Sequence, residues 1–319
     1  MHLRYISNRY VILDSDEKIK FGKLYKARDL QEDILVFIQL IKNNNYISNK
    51  FLPNLIDESM TLSQINSPHI AQILDTGVHY NGEDMYYYIA SEFFAGIELS
   101  RAIKGNYIDL ASIVKITKKI LRALDTSYSN KLYHGSLTED NIFVDENYNI
   151  KIYDYCITKA NKGVNIRKDE NSIKFLSPHQ LNINYTDLDS DFFTLGVILF
   201  YSIFKKMPFG VGKSEKDMLK LIDRGVDWNT VAINTENIAL VNIVKKLIRR
   251  TEKYNNVEEV LIDLSKFMYV KANIEDNSTS TSLQLEELTS SHNTKSKFLE
   301  KALLLFLTIT VLITVIIKF

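Results

Sequence analysis

The chain has 319 residues, 45% of them hydrophobic and 11% aromatic, with 39 Lys and Arg balanced by 39 Asp and Glu. That much apolar material supplies a sizeable core, and the length suits one large two-part domain or two ordinary ones. The balanced charge argues against a nucleic-acid partner, and the single cysteine, Cys156, excludes an internal disulfide and a cysteine-built zinc site.

Met1–Arg9 contains no apolar run of signal-peptide length, so the folded part is expected to stay in the compartment where it is made. Residues 10–42 read as three strands, Tyr10–Leu13, Lys23–Arg28 and Ile34–Ile41, separated by polar turns. A helix is expected over 54–66, with Leu55, Met60, Leu62 and Ile65 toward one side, followed by strands over 71–79 and 85–94. Beyond Gly96 the period changes: Ile113, Ile116, Ile120, Leu121 and Leu124 recur at helical spacing through 110–130. Residues 134–156 hold two short apolar strands around a polar turn, and a polar segment, 158–174, comes next. Helices are expected over 189–205, 214–223, 237–249 and 256–269. Strands first and helices later predicts an α+β class with two lobes, a β-rich one over 8–95 and a helical one over 96–271.

Residues 272–297, rich in Ser, Thr, Asn and Glu, read as a flexible linker. From Ala302 to Ile317 run sixteen consecutive uncharged residues, bounded by Lys301 and Lys318. As a helix they measure roughly 24 Å against a bilayer core of about 30 Å, a mismatch that snorkelling lysines tolerate. The expectation is a single transmembrane helix over 301–318; a buried C-terminal helix is the bland alternative. Lys295, Lys297 and Lys301 before the span, against Lys318 after it, predict that the large N-terminal part lies in the cytoplasm.

The chemistry centres on Asn141 and Asp154, thirteen positions apart across the short strand pair, a spacing that can bring two oxygen ligands to one divalent cation. The surrounding His134-Gly135-Ser136-Leu137-Thr138-Glu139-Asp140-Asn141, with Asp154-Tyr155-Cys156, resembles the catalytic loop and metal-binding segment of protein kinases, H-R-D-x-x-x-x-N and D-F-G. Other segments resemble that family in its own order over about residues 10–270. Phe21-Gly22-Lys23 is similar to the end of the Gly-rich loop, and Val36-Phe37-Ile38-Gln39 stands for V-A-I-K. Glu58 with Leu62, Pro68 and His69 resembles the glutamate-bearing helix and its exit. Ser91-Glu92-Phe93-Phe94-Ala95-Gly96 resembles the segment joining the lobes, and Ser172–Gln180 the end of the activation segment. Ser190–Phe200 and Lys205–Phe209 resemble the central helix of the helical lobe and the turn after it.

The resemblance implies a bilobal kinase-like fold and an ancestral site for ATP with Mg or Mn. Its nucleotide-binding positions fall on Gly22, Gln39, Glu58, Ser91, Asn141 and Asp154, and its metal positions on Asn141 and Asp154. The catalytic groups have changed. The base position is Ser136, which cannot accept a proton near neutral pH; the phosphate-contacting lysine positions are Gln39 and Thr138, and the arginine before the base is Gly135. A Gln39–Glu58 hydrogen bond is the expected substitute for the usual ion pair. Ser91 implies a roomy nucleotide pocket, and loss of the D-F-G glycine at Cys156 implies a segment fixed in one conformation. His179 and Lys253 replace both partners of the family's Glu–Arg pair. The reading is a membrane-anchored pseudokinase acting through protein partners. A divergent active Ser/Thr kinase and a subunit of a membrane machine such as a secretion system are its rivals.

Overall fold

The computed structural model describes residues 5–13, 24–163, 170–249, 251 and 253–267. Its first compact unit ends at Leu264. Gly22, the 272–297 linker and the apolar segment 301–318 lie outside the described residues. Among those that are described, no helix is long and apolar enough to cross a membrane.

The upper lobe is a six-stranded antiparallel sheet built from β1 (Tyr5–Ile6), β2 (Tyr10–Ile12), β3 (Leu24–Asp29), β4 (Ile34–Lys42), β5 (Ile73–Asn81) and β6 (Asp84–Glu92), in the order β1-β2-β3-β4-β6-β5. One helix, α1 (Phe51–Ser63), interrupts it. Strand β4 sets the layout because its side chains alternate across the sheet. Val36, Ile38 and Leu40 enter one core with Tyr10, Tyr25 and Ala27, whereas Phe37 and Gln39 face the other way, toward the second lobe. In α1, Phe51, Leu55 and Leu62 are buried, but Met60 is 60% exposed, so the apolar stripe is narrower than its composition suggests.

The lower lobe begins with β7 (Ile97–Glu98) and α2 (Leu99–Lys104), followed by the long α3 (Leu110–Ser129). Strands β8 (Ile142–Val144) and β9 (Ile150–Ile152) join β7 in a small antiparallel sheet. Short helices α4 (Ile157–Ala160), α5 (Glu170–Ile173) and α6 (Pro178–Ile183) follow. Helix α7 (Leu188–Phe204) runs through the lobe, with Phe192, Leu195, Val197, Ile198, Leu199 and Phe200 all buried, which explains an apolar composition without a polar face. Its start is specified by sequence: Asp187 accepts the Ser190 amide while the Ser190 side chain answers the Asp187 backbone, a capping box. Helices α8 (Glu215–Arg224) and α9 (Ile238–Leu247), and a last helical run over 257–267, complete the fold. Backbone bonds stitch the lobes together, the Ala71 amide to the Ile152 carbonyl at 2.9 Å and the Ile152 amide to the His69 carbonyl at 2.8 Å.

Candidate functional site

The loop from His134 to Asn141 hangs from one buried carboxylate. Asp191, in the first turn of α7, accepts the backbone N–H groups of His134 (2.9 Å) and Gly135 (2.8 Å) and the Tyr128 hydroxyl (3.2 Å). Complete burial pushes its pKa up to about 6 despite these donors. Gly135 has φ +72, and a Cβ there would come within 2.7 Å of Thr186 Cγ2 and 2.8 Å of Thr158 Cγ2. No arginine can occupy this backbone position without displacing both threonines. Ser136 follows, 8% exposed, and its hydroxyl has no hydrogen-bond partner among the described residues.

Asn141 and Asp154 do meet, as their spacing predicts: Asn141 Nδ2 donates to Asp154 Oδ2 at 3.3 Å and to the Ser136 carbonyl at 2.9 Å. The amide is oriented by its surroundings, since its Oδ1 accepts the Thr138 N–H at 2.9 Å and a flipped amide would set donor against donor. The other oxygen of Asp154 is taken from above. Gln39 Nε2 donates to Oδ1 at 2.6 Å, with Gln39 2% and Asp154 8% exposed. A divalent cation needs lone pairs directed into one space. Here each carboxylate oxygen already accepts one N–H group and the Asn141 oxygen accepts another from the loop backbone, so a cation bound by Asn141 and Asp154 would have to share or displace these bonds. Among the described residues no group of three or more His, Cys, Asp or Glu side chains could hold one.

Gln39 therefore pairs with Asp154, and the Gln39–Glu58 hydrogen bond expected from the sequence is replaced. Glu58 reaches Lys159 of α4 at 2.7 Å. Asn54 Nδ2 donates to the Ala160 carbonyl at 2.9 Å, and Asn161 Oδ1 accepts the Ser48 amide at 2.8 Å. Helix α4 thus clasps α1, and Lys159 is a contact that no motif spacing announced. The segment also keeps a glycine-like shape without the glycine: Asp154 and Cys156 have φ +70 and +74. Strain in the left-handed region costs about 1–2 kcal/mol per residue and is met here by burial. Cys156 is fully buried, and desolvation pushes its thiol pKa far up.

The cleft beside these groups is aromatic. Phe37 from β4, Phe93 from the joining segment, Phe143 from β8 and Tyr153 after β9 share one cluster with Leu24 and Phe94. Phe37 lies 5.0 Å from Phe93, 5.0 Å from Phe143 and 5.4 Å from Tyr153 between ring centroids. Ser91 sits directly opposite Phe37 in the β4–β6 register, so the room its small side chain leaves lies beside packed rings. Sequence reasoning stopped at Ser91 and Gln39. The available signal was Phe37 itself, a large ring where the resembled motif has alanine.

Residues 19–286 match the protein kinase domain family. The chain belongs to this family. It is similar to Serine/threonine-protein kinase PrkC of Bacillus subtilis, 28% identical over 262 residues, which is 79% of this chain and 40% of that protein. It is also similar to the probable serine/threonine-protein kinase PknB of Lactococcus lactis, 26% identical over 268 residues, 81% of this chain and 42% of that protein. The chain's matched part thus spans about two fifths of the length of these curated relatives. Membership carries the family's general use of ATP and a divalent cation, and in this chain the Asp154 carboxylate at the corresponding position is hydrogen-bonded to Gln39 and Asn141.

The end of the kinase activation segment has been rewired as well. His179 and Lys253 do not pair with each other: His179 Nδ1 contacts Asp187 Oδ2 at 3.1 Å, and Lys253 bonds Asp189 at 2.8 Å. The segment is held instead by Gln180, whose Nε2 donates to the Gly135 carbonyl at 2.7 Å. Glu139, also missed in the sequence, is 4% exposed with Oε2 unpartnered among the described residues. Burial, reinforced by Asp140, pushes its pKa up to about 7.

Proposed function

We propose that this member of the kinase family is a pseudokinase: it transfers no phosphate and acts as a signalling or scaffolding module through a protein partner. The apolar segment 302–317 supports attachment to a membrane, with the kinase-like part at its cytoplasmic face. The observation that carries the catalytic half of this reading is the bond from Gln39 to Asp154. Where a kinase needs a cationic lysine on phosphate and a free carboxylate on metal, this chain spends a neutral amide on that carboxylate. Absence of a base at Ser136 alone removes about two to four orders of magnitude of general-base catalysis.

Labelled-phosphate transfer from ATP with Mg²⁺ or Mn²⁺, using the full chain in mild detergent, tests the reading. No transfer to generic protein substrates or to the chain itself is expected, either for the wild type or for Ser136→Asp. Transfer by the wild type, abolished by Asp154→Asn, refutes it. Membrane attachment is read separately, as retention of the full chain in the membrane fraction after a carbonate wash, and recovery in the soluble fraction overturns that part.

A further inference from the structure

We infer that Phe37, Phe143 and Tyr153 make the interlobe slot a self-occupied aromatic site, in which the protein's own rings hold the place of a planar purine. The rings come from both sides of the cleft. Phe37 descends from the upper sheet, while Phe143 and Tyr153 rise from the lower one, and the three are 6%, 5% and 1% exposed. Phe37 and Tyr153 meet edge to face at 90°, and Phe143 and Tyr153 at 69° with centroids 5.2 Å apart. Such tilted contacts are the favoured geometry between aromatic quadrupoles. The slot's polar end is occupied too. The Tyr153 hydroxyl donates to the Glu92 backbone carbonyl at 3.0 Å, in the segment joining the lobes. A planar heteroaromatic amine entering here would need an apolar gap between two faces and a carbonyl to accept its N–H. Phe37 and Phe143 fill the gap, and Tyr153 supplies the N–H substitute.

This exclusion concerns the base-binding end of the cleft, and it deepens the pseudokinase reading, which stands on the phosphate and metal end around Asp154. The two are separable with adenosine, a ligand carrying neither phosphate nor metal. The wild type should show no thermal shift with millimolar adenosine. Phe37→Ala/Tyr153→Phe vacates the ring and the hydroxyl, and should bind adenosine with a rise in melting temperature of about 2–5 °C at ten times Kd. Purine riboside, which lacks the exocyclic amine, should bind that variant about tenfold more weakly because the freed carbonyl then has no donor. Phe37→Leu/Tyr153→Phe is the milder companion should the first variant fail to fold, with fluorescence of Trp228 confirming folding in each.

Adenosine binding by the wild type overturns the inference, and does so whether or not phosphate transfer is found. A folded pair of variants that bind neither nucleoside overturns it as well. Equal affinity for the two nucleosides overturns the role of Tyr153.

Discussion

Replacing Gln39 by Met isolates the contact between the lobes at the old catalytic centre. The substitution keeps the length and roughly the volume of the side chain while removing the amide. Asp154 Oδ1 then faces an apolar chain instead of a donor at 2.6 Å, with only 8% of the residue exposed. Hydrogen bonds to charged groups are worth about 1.5–3 kcal/mol, so Gln39→Met should destabilise the chain by about 2–3 kcal/mol. On an Asp154→Asn background the bond is neutral and the same change should cost about 1 kcal/mol, a coupling of about 1–2 kcal/mol. Equilibrium urea unfolding of the four proteins, followed by the fluorescence of Trp228, the single tryptophan, measures the cycle. A Gln39→Met protein within about 0.5 kcal/mol of wild type on both backgrounds would refute a stabilising Gln39–Asp154 bond, because that is the scatter expected of non-interacting sites.

Glu139→Gln should stabilise the chain at alkaline pH and have little effect at acid pH. Burial raises the folded-state pKa from the ordinary 4.5 to about 7, so native protein holds this proton more tightly and the wild type loses stability as pH rises through that window. The substitution should therefore gain about 2–3 kcal/mol at pH 8 and under about 1 kcal/mol at pH 5; equal gains at the two pH values in urea titrations would contradict the burial argument. Gly135→Ala meets two threonine methyls at 2.7 and 2.8 Å from a left-handed backbone and should cost about 2–4 kcal/mol, read as a drop in the thermal midpoint. Cys156, buried and with its thiol pKa pushed up, should resist a disulfide reagent in native protein and react at once in denaturant. Rapid labelling of native protein would show that the α4 segment opens easily.

Much of the scaffold is legible in the chain because it is encoded locally. The run of β-forming residues from Ile34 to Ile41 marks β4, the helical recurrence from Ile113 to Leu124 marks α3, and the expected helix over 189–205 falls on α7. Short elements escaped. The two-residue β1, and α4 and α5 within a stretch that reads only as polar, have too few residues for any period to show. Met60 matched the helical pattern and is exposed nonetheless, because composition does not say how wide a stripe the neighbours cover.

At the site the division is sharper. Residue identity by itself determined that Ser136 is no base, that Gln39 carries no charge and that Asn141 and Asp154 survive, since those are facts of side-chain chemistry at motif positions. Which group each survivor serves was decided only by the fold. Gln39 and Asp154 stand 115 positions apart in sequence, and nothing local says that the amide will choose Asp154 while Glu58 goes to Lys159. The aromatic slot is equally non-local, assembled from β4, the joining segment, β8 and the residue after β9. Chemical capacity is a property of single residues, whereas pairing and occupancy depend on distances that exist only once the two lobes have closed on each other.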